Sequence, residues 1–402
     1  VTADRNGQSG IGVEPKAVKR QRKAKRLVLA GAGHAHLFVL ESLVRHPLKD
    51  VEVVLVNPSG WQYYSGMLPG WMAGLYRDHQ CRIAIEPLAE KACVHFVQGR
   101  VAGLDADRNC LYLADGSTLR YDWLSLNTGS ETDDAWFAAL GDRLLPVKPF
   151  APFMRKWRQI AAEAASAESF HLVVAGGGGA GVEIAFAARE FFDQVAPKAT
   201  VTLVSGGTSL LASACPRARR KIEEALLSSG VRVLPFAAVG TGQGVMLNNG
   251  QRLIADRVIA ATGARPPFWL AQSGLKLDAR GFAAVDRFHR SRSHHNVFAV
   301  GDISAREDRH FGRSGVHAVR AGPVMARNLK AEVRGWSFRP YRPKRYILQL
   351  FYCGQRRAVV SWGPWSAAGR MIWRWKDMID RRFIRRFTGT RPQLTLQEPK
   401  SG

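Results

Sequence analysis

Short apolar runs that end in glycine recur along the chain. Leu27-Val28-Leu29-Ala30 leads into Gly31-Ala32-Gly33-His34-Ala35-His36, and Leu172-Val173-Val174-Ala175 leads into Gly176-Gly177-Gly178-Gly179-Ala180-Gly181. Four apolar residues bounded by turn residues read as a buried strand. Apolar positions at helical spacing then predict helices over residues 37–45 and 182–192. Second strands follow at Val51–Val56 and Thr200–Val204. Each half closes in the same way, with an Asp, an apolar run and Thr-Gly: Asp122 to Thr128-Gly129, and Asp256 to Thr262-Gly263. Between strand and closure lie β-rich stretches with turns at Asp115-Gly116 and Asn249-Gly250, which read as small meanders. The pattern is a duplication at the level of domains.

The glycines specify the chemistry. In a strand–turn–helix unit the first allows the tight turn, the second lets backbone N–H groups approach a pyrophosphate, and the third allows close helix–strand packing. The phosphate then sits on the positive end of the helix dipole. The second turn is complete at Gly176, Gly178 and Gly181, whereas the first carries His36 at its third position. A third apolar strand, Asn296 to Val300, ends in Gly301-Asp302, where a carboxylate can accept hydrogen bonds from the ribityl hydroxyls of a flavin or cap the next helix. The expected fold is α/β: two Rossmann-like three-layer domains with β meanders, followed by a C-terminal strand pair and an amphipathic helix. The expected boundaries are a basic disordered tail at 1–25, a discontinuous first domain at 26–150 and 266–335, a second at 151–265, and a C-terminal region at 336–402.

Composition narrows the partners. Hydrophobic residues make up 46% of the 402, enough for a sizeable core, and no run approaches the roughly 18 apolar residues of a spanning helix. The apolar run after the basic N-terminal block is too short for a signal peptide, so no export signal is expected. The five cysteines have neither redox-dithiol nor zinc spacing, and no metal site is expected. With 58 Lys and Arg against 33 Asp and Glu, the formal charge is +25. Such a field attracts acidic cofactors, anionic lipid or nucleic acid. No nucleic-acid module is visible, so that partner is not expected; a basic nucleic-acid-binding or scaffold flavoprotein is the alternative of another class.

Together these motifs resemble the pyridine nucleotide–disulfide oxidoreductase superfamily of flavoproteins over residues 26–329. The resemblance assigns Gly31, Gly33, Thr128, Gly129, Gly301 and Asp302 to FAD, and Gly176, Gly178, Gly181, Thr262 and Gly263 to NADH or NADPH. Gly33-His34-Ala35-His36 and Tyr64-Ser65-Gly66-Met67-Leu68-Pro69-Gly70 are similar to the NADH-dehydrogenase-like flavoproteins related to the selenide, water dikinase fusion domain. The ribose-binding acid of such folds is replaced by Asn57 in the first half and Ser205 in the second. Asn57 can still accept a ribose hydrogen bond. Arg217, Arg219 and Arg220 can receive a 2′-phosphate or form a solvated helix face, so NADH and NADPH both stay open. The resemblance implies hydride transfer from nicotinamide to flavin and onward to a quinone-like acceptor. Val316 and Arg320 stand where type II NADH dehydrogenases carry two glutamines. A soluble flavin enzyme acting on a sulfur or selenium species is the alternative, although no cysteine pair stands out.

Glu183, one turn into the second helix, is the catalytic candidate; it also suits a first turn on dipole grounds alone. His34 and His36 are candidates to bind phosphate or relay protons, or else pack semi-exposed. Arg313, Ser314 and the segment Gly315, Val316 and His317 open a helix whose N–H groups can stabilise negative charge on a reduced flavin. Lys148 has no assigned role. Near the C-terminus, Ile372, Trp375, Ile379, Phe383 and Phe387 recur at helical spacing among arginines. That stripe suits a helix lying in a membrane interface, and equally one packed on its own protein or on a homodimer partner. The expected location is cytoplasmic, peripheral on the inner face of the cell membrane.

Overall fold

The computed structural model describes residues 24–207, 209–309 and 315–388. The expected N-terminal tail up to residue 23, and Arg313 and Ser314, lie outside them. Each glycine-rich turn sits at the centre of its own parallel five-stranded sheet. In the first, Lys25–Ala30 lies between Val51–Asn57 and Trp123–Leu126; His95–Gln98 and Val297–Ala299 form the edges. In the second, Phe170–Ala175 lies between Ala199–Val204 and Arg257–Ala260; Arg232–Leu234 and Leu144–Pro146 form the edges. Leu144–Pro146 thus joins the second sheet ahead of the boundary expected at 151.

Side-chain alternation builds three layers. Leu27 and Leu29 pack on the helical side, while Val28 and Ala30 pack against the meander of Val101–Asp105, Cys110–Leu113 and Thr118–Arg120. Leu172 and Val174 repeat this against helices. Val173 and Ala175 face the second meander, Ala238–Thr241, Gly244–Leu247 and Arg252–Ile254. Successive strand residues point to opposite faces, so a run buried on both sides carries no alternation to read.

Four helices place the site. α1 (His34–Arg45) and α2 (Gly179–Val195) start directly on the two turns, and neither N-cap glycine offers a capping side chain. α3 (Gly315–Arg334) follows the Gly-Asp strand and packs against α1, where Gly322 lets Phe38 approach: a Cβ there would lie 2.4 Å from the ring. α4 (Arg370–Thr388) follows an antiparallel meander of Gln349–Tyr352, Ala358–Trp362 and Trp365–Gly369. The third strand of that meander exceeds the pair expected, because Gly363-Pro364 forms a turn rather than ending the sheet. Where the chain crosses between the two sheets, Glu131–Thr132 pairs antiparallel with Ala264–Arg265.

Candidate functional site

The first turn is stitched by side chains. Asn127 Oδ1 accepts the N–H groups of Ala35 and His36, both at 3.1 Å, and its Nδ2 donates to the Val300 carbonyl at 2.7 Å. A Cβ on Gly33 would lie 2.5 Å from that amide oxygen, which is why glycine stands there. His36 Nδ1 donates to the Gly31 carbonyl (2.6 Å), so Nε2 accepts from the Ser125 hydroxyl (2.8 Å). Burial pushes its pKa down to about 4 and keeps it neutral. His36 does not line the cavity beside the turn: as a cofactor-binding candidate it is corrected to a buried tie between turn and sheet. Asn57 Oδ1 accepts from the Ala32 N–H at 2.9 Å.

Beside the turn opens a cavity of about 1490 Å³. Gly31, Gly33, His34, Asn57, Thr128, Gly129, Gly301, Asp302, Gly315 and Val316 all line it. It exceeds the roughly 300–1,000 Å³ of a pocket for one drug-sized ligand. The residues fit a flavin dinucleotide: His34 Nε2 and Thr128 Oγ1 are buried without a partner among the described residues, and space is open beside Gly129. Buried polar atoms are costly unless paired, so such orphans mark where a ligand belongs. Burial holds His34 down at about 4, with Asp302 opposing and Lys148 assisting.

The second turn is held by backbone contact. A Cβ on Gly181 would sit 1.9 Å from the Gly176 carbonyl oxygen, and one on Gly176 2.3 Å from that of Ala261. Gly178 has open space beside it. Gly178, Thr262 and Gly263 line a second cavity of about 810 Å³. The two cavities share a wall that includes Lys148, Gly179, Ala180 and Asp302. Lys148 ties that wall together through Asp302 (2.6 Å) and Ser130 (3.0 Å), which gives it the place that sequence left blank. Arg219 donates to Ser209 at 3.0 Å, near Gly206-Gly207, whereas Arg220 pairs with Glu224 on the surface.

Glu183 reaches the first cavity from α2. Its Oε1 accepts the Tyr352 N–H at 2.8 Å. Burial pushes its pKa up to about 7, against the pull of Lys376 and that N–H. Lys376 and Asp380 enter the same cavity from α4, each under 9% exposed. The Lys376 ammonium donates to the Gly66 carbonyl (2.6 Å) and pairs with Asp380 (2.8 Å). Phe351, Ile379 and Phe383 complete an apolar wall, with Tyr64 stacked on Phe383 at 4.4 Å.

The structure therefore brings together every candidate for the first nucleotide except His36. Gly176 and Gly181 shape the second cavity without lining it. Arg320 lines the first cavity, and its Nη1 is buried without a partner among the described residues. None of the cysteines lines either cavity among the described residues. Sequence reading missed Asn127, Tyr64, Lys376 and Asp380. Asn127 directly precedes the Thr-Gly closure, a visible clue; Lys376 and Asp380 lie among the charged residues between the apolar stripe positions, where charge reads as a solvent face. The helix instead turns Lys376, Asp380, Phe383, Ile384 and Phe387 inward, so its stripe packs on the protein itself.

Comparison with known proteins agrees with this fold. A family model described as pyridine nucleotide-disulphide oxidoreductase matches residues 25–322. Ferroptosis suppressor protein 1 of Xenopus tropicalis is 27% identical over 265 residues, 62% of this chain and 67% of the relative. An NADH dehydrogenase-like protein of Mycobacterium tuberculosis is 28% identical, over 70% and 73% of the two chains. The structure of sulfide:quinone oxidoreductase from Aquifex aeolicus superposes with a TM-score of 0.76 at 15% identity, covering 91% and 92%.

Proposed function

Because this chain belongs to the pyridine nucleotide-disulphide oxidoreductase family, as an oxidoreductase with FAD and NAD(P)H as cofactors, we propose that its electrons pass to a quinone-like acceptor. FAD, when bound, accepts two electrons from the nicotinamide and hands them on. Gly31, Gly33, His34, Asn57, Thr128, Gly129, Gly301, Asp302, Gly315 and Val316 would hold it. Gly176, Gly178, Gly181, Thr262 and Gly263 shape the nucleotide cleft, with Arg219 the residue for a 2′-phosphate.

One observation carries the acceptor reading: Glu183 and Lys376 stand in the flavin cavity beside an apolar wall of Phe351, Ile379 and Phe383. A planar ring lies against such a wall while its oxygens meet the two polar groups. Glu183 holds a proton near pH 7, where a general acid works best. Lys376 fixes the oxygen by its charge. Rapid mixing tests the reading. NADH or NADPH bleaches the bound flavin and a short-chain quinone restores the colour, more slowly in Glu183→Gln. Failure of every quinone to restore it would reject this acceptor class.

We also propose docking to an anionic membrane surface. Among the described residues, no helix is long and apolar enough to cross a membrane. The outward face of α4 carries Met371, Arg374, Met378, Arg382 and Arg385, and Trp362 and Trp365 are about half exposed nearby. Each arginine near such a surface is worth about 1 kcal/mol. Vesicles containing anionic lipid should pellet the protein, and reversing the charge of Arg374, Arg382 and Arg385 should abolish pelleting; equal pelleting of both would reject the docking face.

A further inference from the structure

α4 carries two parallel ion pairs at i,i+4 spacing with different fates. Lys376–Asp380 is buried, at 2.8 Å, with side chains 11% and 6% exposed. Asp377–Arg381 lies beside it at 2.9 Å, with side chains 20% and 40% exposed. Charged groups are almost never inside a protein unless paired. Replacing such a pair by apolar residues of similar volume is often neutral or stabilising, so packing gives no reason for it.

The pair has a route on either side. Inward, Lys376, Asp380 and Tyr64 all line the flavin cavity. The Tyr64 phenol lines the same cavity as Asp380, whose charge helps to hold its ionisation up, and its ring meets His34 edge-on at 5.5 Å. Outward, Asp377 is one helical turn from Asp380, accepts from the Tyr76 hydroxyl at 2.7 Å, and reaches solvent. The groups that act on Asp380 or feel its charge are Lys376 and Asp377 of its own helix, Tyr64, Tyr76 and Cys81 from the segment beneath, and Glu183 of α2. Burial raises the Asp380 carboxyl above the ordinary carboxylate range, against the pull of Lys376 and Tyr64.

We propose that Asp380, paired with Lys376 beside Tyr64, is a proton relay that recharges the acceptor end of the cavity from solvent through Asp377. This rests on the quinone-like acceptor proposed above. The balance requires such a path. Reducing a quinone to a quinol takes two electrons and two protons, while the nicotinamide hydride brings two electrons and one proton. The second proton comes from water. An O–H bond of Glu183 or an N–H bond of Lys376 breaks as the acceptor O–H forms. The group left short of a proton regains one from water at the solvent end, by way of Asp377 and then Asp380, each carboxylate taking up the proton before it passes it on to Lys376.

The test compares Asp380→Asn, Asp380→Glu and Tyr64→Phe in the FAD-loaded protein. In Asp380→Asn, recolouring of the flavin by quinone should slow by about 10²-fold, the scale of a lost acid–base group. Millimolar formate or acetate should partly restore it, and Asp380→Glu should keep most of the rate. Tyr64→Phe should raise the solvent isotope effect on recolouring. One readout is independent of turnover: tyrosinate absorbance at high pH, with Tyr64→Phe as the blank. Loss of the Asp380 charge should move Tyr64 ionisation to lower pH. Wild-type recolouring in Asp380→Asn, or slowing that neither small acids nor Asp380→Glu relieve, overturns the relay. A wild-type protein that no quinone recolours overturns the acceptor reading instead, and a Tyr64 ionisation indifferent to Asp380 removes the contact itself.

Discussion

The two glycine-rich turns have the same backbone task and solve it with different materials. The first is held by side chains: Asn127 caps α1 from outside, and His36 bridges turn and sheet. The second is held by the absence of side chains, with Gly181 against Gly176 and no capping residue on α2. Seven residues after the first glycine, α1 presents Phe38 to α3, while α2 presents Glu183 to the cavity. One turn has become scaffold on the side away from its ligand, whereas the other sends its helix into the chemistry. A missing glycine in a fingerprint therefore does not mean a missing site: a hydrogen-bonding side chain that reaches both turn and sheet can take its place.

Substitutions can break or sharpen that contrast. Gly181→Val should be the most damaging, since its Cβ has only backbone to push; we expect a loss of about 4 kcal/mol, at the upper end of overpacking effects. Flavin absorbance retained alongside lost NAD(P)H bleaching would localise the damage to the second unit. Asn127→Ala should cost about 3 kcal/mol, because it strands two buried N–H groups and a carbonyl, and should release FAD on dilution; unchanged flavin affinity would contradict the capping role.

Glu183→Gln should act through pH. A carboxyl raised from 4.5 to about 7 in the folded state destabilises the protein as pH climbs through that window. The variant should therefore match wild type in stability and thermal midpoint near pH 4 and be the more stable at pH 8, by roughly 3 to 4 kcal/mol at about 1.4 per unit. Equal midpoints at pH 8 would mean that Glu183 is not buried. The smallest effect is expected from Arg219→Ala: a fall of about tenfold, or about 1.4 kcal/mol, in bleaching by NADPH relative to NADH. An unchanged ratio would return this helix face to solvent.

Much of this was legible in the sequence. The duplicated closure at Thr128-Gly129 and Thr262-Gly263 gives both sheets, because a βαβ unit leaves few ways to connect its strands. The turn glycines Gly31, Gly33, Gly176 and Gly181 were legible because backbone approaches each so closely that no side chain fits. The role of His36 was not, since a histidine in a turn reads alike whether it faces ligand or core. Lys376 and Asp380 were hidden for a different reason. Patterning assigns charge to the solvent face, and only the placement of Glu183 and Tyr64 from distant segments makes an inward pair tolerable. The strand Trp365–Gly369 was missed because Gly-Pro reads as the end of a sheet and the small residues Ser366-Ala367-Ala368-Gly369 have little strand preference.

The paired crossings at Glu131–Thr132 and Ala264–Arg265 have a mechanical consequence. Two separate tethers would leave the second unit free to twist and slide over the first. Zipped side by side, and pinned by Arg265 to Glu131 at 3.1 Å, they behave as a single flat strap. A strap resists shear and torsion in its plane and yields to bending across it. Sliding or twisting one unit over the other would have to break this pairing, whereas bending across the strap would leave it intact.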